Sequence, residues 1–435
     1  MREMKESGIE WIGDIPKAWE TKPIRAVFNE VIEKNHNGLV KTALKFTYGN
    51  IVRKNNFDAD EDNYVADTIL NYTIVHPGTI MLNGLNLNFD FVTQRIALVT
   101  ETGVITSAYI ALEAIDKSHV STKYFTYLFK CYDGCKALHN MGGGVRKILN
   151  FSEFKKYYIF VPSLSEQQRI ANFLDFKCAE IDALTADIQL QIDTLEEYKR
   201  SLITETVTKG LNPDVEMKDS GVEFIGKIPI NWNLTKLKYV GNVFNGDRGK
   251  NYPSGDDLCD EGIYFLTSNN LHSVVLDCRD EISKYISPER YKILRGAKIA
   301  YNDLIFCLRG SVGNCSINKS IHEGTIASSL MSFRVDKENP DYVNYVLQTS
   351  IASAQTSNYT NGSCAANLSA ENVVRYYIPA PPLPEQKQIA IFLDSKCTEI
   401  DNIIEAKNQQ IDTLEEYKKS LIFEYVTGKK EVPAV

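Results

Sequence analysis

The most regular pattern in the chain begins at Ile170 and continues through Phe173, Leu174, Cys178, Ile181, Leu184, Ile188, Ile192, Leu195, Tyr198 and Leu202. These apolar positions advance mostly in the mixed steps of three and four that a helix-packing seam requires. Neither Pro nor Gly interrupts 166–208. Pro162 precedes the run, Ser165 with Gln168 fits a capping box, and Lys209-Gly210 followed by Asn212-Pro213 marks the stop. A second such run opens after Pro381, Pro382 and Pro384 and breaks at Gly428. A helix of roughly 40 residues is about 60 Å long, longer than a small domain is wide. The segments outside these runs alternate differently. Tyr72–Val75, Thr79–Leu82, Ile96–Val99, Tyr264–Leu266, Lys298–Tyr301 and Leu304–Phe306 read as short strands between Gly, Asn and Asp turns, and 121–131 and 341–350 as short helices.

The two helical runs belong to an internal repeat. KESGIEWIGDIPKAW at 5–19 returns as KDSGVEFIGKIPINW at 218–232, and the segment from Tyr157 returns from Tyr376, with IDTLEEYK unchanged at 192–199 and 411–418. Between these matching frames, 20–156 and 233–375 hardly resemble one another, apart from a faint echo of Gly143 and Leu149 in Gly362 and Leu368. So long a period makes each copy a whole domain with its connector rather than a solenoid unit. An amphipathic helix this long cannot leave its seam exposed, so the two equivalent seams are expected to pack on each other through Ile181, Leu184, Ile188, Ile192 and Leu195 and through Ile400, Ile403, Ile411 and Leu414. Lys407 stands where the first copy has Ile188. A polar break that fixes register and a stem that snorkels to solvent are both open there. Cys178 and Cys397 fall at matching seam positions and read as packing.

A net charge of -8 argues at first against a nucleic-acid partner, since affinity for DNA rests on neutralising phosphates. The acidity is concentrated, however. About nine acids against five bases fall in 166–209, and about nine against seven in 385–430. The rest is near neutral and leaves room for local basic patches. No apolar run is long enough to span a bilayer, and the N-terminus lacks the apolar block of a signal peptide, so a cytoplasmic protein is expected. The nine cysteines then read as reduced thiols. Cys131 and Cys135 are close enough to begin a metal site, but no second pair follows at zinc-finger spacing; the plain reading is two buried thiols.

Catalytic motifs are missing. The Gly-rich cofactor loop and Asn/Asp-Pro-Pro-aromatic motif of an adenine methyltransferase are absent, and so is GxxxxGK[ST]; Asn245-Gly-Asp-Arg-Gly-Lys250 has the wrong spacing. Asp401, Glu405 and Lys407 offer nuclease residue types, but on a long helix where strand-borne metal ligands cannot form. The chain reads as non-catalytic, with no metal or cofactor of its own.

With the duplicated frame and unlike inserts in hand, the sequence resembles the specificity subunits of type I restriction-modification systems. The resemblance covers essentially the whole chain and is carried by the Pro-x-x-x-Glu-Gln entries at Pro162 to Gln167 and Pro381 to Gln386, the LEEYK-SLI helix ends, and the Gly-Ile/Val-Glu-Trp/Phe-Ile-Gly-x-Ile-Pro-x-x-Trp openings. It implies a mixed α/β fold: two globular target-recognition domains separated by two long antiparallel coiled-coil-like helices, with internal pseudo-two-fold symmetry. The implied division is a frame segment at 1–19, recognition domain 1 at 20–162, spacer helix 1 at 163–210, a linker with the repeated frame segment at 211–232, recognition domain 2 at 233–381, and spacer helix 2 with the tail at 382–435. It further implies that each domain reads one half of a split, asymmetric site on double-stranded DNA, that the helices set the gap and dock two methyltransferase subunits, and that restriction-translocation subunits join that core. S-adenosylmethionine would belong to the methyltransferase partner, ATP and Mg to the restriction partner. Two modules facing DNA with approximate two-fold symmetry would place half-sites about 34 Å apart. The competing reading is a decoy that sequesters methyltransferase subunits, against which the elaborate inserts argue.

Base edges are read by Arg or Lys on guanine and Asn or Gln on adenine, from loops whose glycines let backbone approach phosphates. In the first insert the candidates are Arg53, Lys54 and Asn55, then Asn83 and Asn86, then Gly143, Arg146 and Lys147 within MGGGVRK. In the second they are Arg248 and Lys250, Ser268, Asn269 and Asn270, Arg309 with Ser311, and Asn361, Gly362 and Ser363. Most of the 23 tyrosines and 19 phenylalanines are assigned to the core.

Overall fold

The computed structural model describes residues 2–54, 69–89, 94–249, 252–360 and 368–433. The chain divides into two compact units, Met1–Ile188 with Asn408–Val435, and Gln189–Lys407. The long helices are Leu164–Lys209, 46 residues, and Leu383–Val426, 44 residues. Each unit therefore holds the first half of one long helix and the last half of the other. Within each unit the halves run antiparallel. In the first, Phe173 meets Tyr425 at 4.5 Å between ring centroids and Lys418 Nζ meets Asp182 at 2.5 Å. In the second, Lys199 Nζ meets Asp401 at 2.6 Å, and the Lys407 ammonium donates to the Gln191 side chain on the facing helix. Both ion pairs join the same two repeat positions, Asp182 with Asp401 and Lys199 with Lys418.

The repeated motifs hold each unit together by the same contacts. Gln167 is fully buried; its Oε1 accepts the N–H of Ser121, the N-cap of helix Thr122–Gly134, and its Nε2 donates to Pro162 O and His119 O. Gln386 repeats this at Asn339, the N-cap of helix Pro340–Leu347, and donates to Pro381 O and to Glu338. The buried Trp19 indole donates to Glu166 at 2.9 Å and the buried Trp232 indole to Glu385 at 3.1 Å. Tyr124 donates its hydroxyl proton to Val426 O, and Tyr342 donates to Val207 O. Each short helix is thus tied to the end of a long helix from the opposite repeat. Each fully buried large apolar side chain contributes about 1.5–3 kcal/mol relative to exposure, and the added bonds fix which partner it meets. Ser163, not Ser165, caps the first long helix, because the Ser163 hydroxyl takes the Glu166 N–H; the Glu166 carboxylate is held by Trp19 and Arg2 instead of closing a capping box.

The seam is narrower than the apolar pattern implied. Ile181, Ile188, Ile192 and Ile400 are buried, and Leu195, Ile411 and Leu414 half-buried, but Leu184 is 48% and Ile403 41% exposed. Those two occupy equivalent repeat positions, at the partly exposed margin of the seam. Cys178 and Cys397 pack in it, and burial raises both thiol pKa values. Cys131 is buried but Cys135 is exposed, which corrects the reading of two buried thiols.

The inserts are mixed α/β, as expected, and share a sheet that their sequences conceal. In the first, strands run in the order Phe28–Glu30, Ile110–Ala114, Ile80–Leu82, Ile96–Leu98; in the second, Gly241–Asn245, Leu330–Val335, Leu304–Cys307, Cys315–Ile317. All pairings in both sheets are antiparallel. The second insert adds a four-stranded sheet with one parallel pair, Ile263–Leu266 beside Gly324–Ile326, where the first has two two-stranded ladders. Lys298–Tyr301 is not a strand: the Ile299 N–H reaches Gly324 O at the start of a strand, but the Ala300 N–H turns to the Asp303 carboxylate and no ladder continues.

Candidate nucleic-acid interface

In both units the connection between the third and fourth strands of the shared sheet bears candidate readers, at 83–89 among the described residues of the first and at 308–314 in the second. Each loop is stitched to the segment before the short helix that precedes the long one. The Leu149 N–H donates to Gly84 O at 2.9 Å, and the Leu368 N–H to Leu308 O at 3.0 Å. Leu149 and Leu368 are the faint echo seen in the sequence; both are buried, and the joint they make explains why that position repeats.

In the first unit this joint brings Asn83, Asn86, Gly143, Arg146 and Lys147 together. Asn86 is exposed with φ +52°, a left-handed conformation that Asn tolerates in turns. Gly143 and Arg146 are exposed, and Lys147 is half-buried. Gly143 and Ile148 form an isolated antiparallel bridge, so 143–148 is a closed turn that presents Arg146 at its tip. Asn83 is half-buried, and its Oδ1 accepts the Leu85 N–H at 3.2 Å. Its role is in shaping the turn. Lys54 is exposed at the end of hairpin Leu44–Thr47 with Asn50–Arg53. Arg53 is held in a fork by Glu101, Nε at 2.8 Å and Nη2 at 2.6 Å. Those hydrogen bonds lower the Glu101 pKa and raise that of Arg53. Arg53 would have to leave this partner to reach a base.

In the second unit Arg309 and Ser311 are exposed on the tight turn between strands, with Gly310 at φ +84° and Gly313 at φ +98°. Arg248 is exposed beside Asp247, whose carboxylate is occupied by the N–H groups of Arg248, Arg295 and Gly296. Ser268 is half-buried and Asn269 exposed, but Asn270 is buried: its Oδ1 accepts the Thr267 N–H at 2.9 Å and its Nδ2 donates to Asp277 O at 2.9 Å. That amide is spent inside the protein. Asn55, Lys250, Asn361, Gly362 and Ser363 lie outside the described residues.

Two residues of this region were not anticipated, Arg95 and Asn88, which bind backbone carbonyls of the joined loops in the first unit. An arginine abutting the apolar run Ile96–Val99 was the available signal. Among the described residues no group of His, Cys, Asp and Glu could hold a metal ion, and no helix is long and apolar enough to cross a membrane.

Known proteins match this architecture. The family model for the type I restriction modification DNA specificity domain matches twice, at residues 16–194 and 229–416. The chain is 25% identical over 430 residues to the type I restriction enzyme MjaVIII specificity subunit of Methanocaldococcus jannaschii, covering 96% of this chain and 94% of that protein. It is 22% identical over 282 residues to the EcoBI specificity subunit of Escherichia coli, covering 62% of this chain and 57% of that one. A solved chain from a study of complex assembly and conformational transition in the type I R-M system is similar in fold, with a TM-score of 0.71 at 14% identity, covering 96% of this chain and 99% of that one. Matched twice across most of its length, the chain belongs to the type I restriction-modification DNA specificity family.

Proposed function

We propose that the chain is the DNA-target-reading subunit of a type I restriction-modification enzyme, each unit reading one half of a split, asymmetric sequence. The observation that carries this reading is the duplicated joint. One frame holds a strand-connecting loop against a second segment in both units, while the exposed side chains there differ: Asn86 and Arg146 in one, Arg309 and Ser311 in the other. Identical scaffolds with unlike polar tips suit two half-sites of unlike sequence.

Chemistry is assigned to partners in the cytoplasm, two methyltransferase subunits and, through them, restriction subunits. Docking on the long helices is supported by apolar side chains left exposed at matched repeat positions. Leu184 and Tyr417 are exposed in one unit, Ile403 and Tyr198 in the other. The partner would have to extrude its target base, since a base within the stack is out of reach.

The test mixes the purified chain with its methyltransferase partner, S-adenosylmethionine and a random DNA library, then sequences the methylated molecules. A shared bipartite motif around the modified adenines is expected. Methylation without any shared split motif would overturn the proposal.

A further inference from the structure

The first unit buries a guanidinium directly beneath its candidate reading loops. Arg95 is 0% exposed. Its Nη1 donates to Asn83 O at 3.1 Å and to Leu85 O at 2.8 Å. Its backbone closes the same turn, since Arg95 O accepts the Asn83 N–H at 2.9 Å. On the other side, the Arg95 N–H donates at 2.7 Å to Oδ2 of Asp133, near the end of helix Thr122–Gly134. A buried guanidinium needs acceptors for its N–H groups, and Nη1 finds two of them on one three-residue stretch.

From that stretch the contacts continue outward. Gly84 O takes the Leu149 N–H, Leu87 N–H reaches Lys147 O at 3.1 Å, and Asn88 Nδ2 reaches Val145 O at 2.9 Å. The two segments are so close at Gly84 that a Cβ there would lie 2.2 Å from Leu149 O. A continuous path thus runs from a core helix through Arg95 to the turns that display Asn86 and Arg146.

We propose that Arg95 is the positioning residue of the first unit's reading surface, fixing where Asn86 and Arg146 stand without touching DNA itself. The inference rests on the target-reading function proposed above. Lysine is a poor replacement, because a flexible ammonium lacks the planar, rigid guanidinium frame that fixes the direction of Nη1 toward both carbonyls. The second unit has no such need: its equivalent loop is a tight glycine turn closed by Cys307 N–H to Asn314 O at 2.8 Å and Gly313 N–H to Cys307 O at 3.0 Å.

The test uses the full chain assembled with its methyltransferase partner. Base preference at each half-site is read from methylation of a random library for Arg95→Lys, Asn88→Ala and Asn86→Ala, and thermal unfolding is recorded in parallel. For Arg95→Lys we expect discrimination at the half-site read by 20–156 to fall by about tenfold, with a smaller loss for Asn88→Ala and the other half-site unchanged. A lower melting temperature with unchanged preference at both half-sites would assign Arg95 a purely structural role and overturn the proposal. Equal broadening at both half-sites would overturn it as well. If Asn86→Ala alters the first half-site while Arg95→Lys and Asn88→Ala do not, positioning fails and target reading stands. If none of the three alters either half-site, the loops do not read DNA and both fall. Should Arg95→Lys not fold, Asn88→Ala decides, since its side chain lies at the rim of the joint.

Discussion

The two units hold their candidate reading loops by opposite means. In the first, the strand-connecting loop is long and is pinned from beneath by the buried Arg95 cation. In the second, the loop is short, and the fully buried charge of that sheet is an anion, Asp303, which receives Arg334 Nε at 2.7 Å, the Ser332 hydroxyl at 3.1 Å and the Ala300 N–H at 2.8 Å. Around these unlike solutions the frame is the same. Trp to Glu, Gln to N-cap and Tyr to helix end recur in both units. The difference teaches that the frame relies on the same polar partners in both units while each insert finds its own, so that a duplicated fold keeps its frame sequence while its inserts drift.

The comparison can be broken most forcefully at the frame tryptophans. Trp19→Ala and Trp232→Ala each remove a fully buried side chain and its indole bond to a carboxylate, and each should cost about 3–5 kcal/mol, measured by urea unfolding. Similar costs in both units are expected; a large cost in one and none in the other would show that the frames are not equivalent.

The helix-terminating glycines sharpen the same point with a smaller effect. Gly210 and Gly428 have φ +77° and +70°, so alanine is strained at either. At Gly428 its Cβ would also lie 2.5 Å from Pro16 Cγ, against 3.1 Å from the nearest atoms at Gly210. Gly428→Ala should therefore lose about 2–3 kcal/mol and Gly210→Ala about 1–2 kcal/mol by the same measurement. The smallest effect belongs to the duplicated ion pair. Asp182→Ala and Asp401→Ala should each change stability by about 0–1 kcal/mol, and less in high salt, because both carboxylates are largely exposed.

The long helices and the frame were legible in sequence because their contacts need particular residues at particular spacings, and the repeat prints them twice. Short apolar runs marked three strands of the shared sheet, Ile80–Leu82, Ile96–Leu98 and Leu304–Cys307. That both inserts use one strand order was not legible, because strands this short are specified chiefly by burial, which many apolar residues satisfy. The apolar period also overstated the seam, since Leu184 and Ile403 keep the helical spacing yet stay partly exposed. At the candidate interface, residue type marked Asn86, Arg146 and Arg309, which are exposed on loops. It misjudged Asn270, whose partners at Thr267 and Asp277 are made by a local turn, and it could not foresee Glu101 holding Arg53 across 48 positions.

The central claim is that two equivalent frames carry two independent readers. It is tested most directly by replacing residues 20–156 with the corresponding insert of another family member and sequencing methylated adenines in cells carrying the hybrid. One half of the recognised sequence should change, with the other half and the gap retained. A change in both halves, or in neither, would contradict the account.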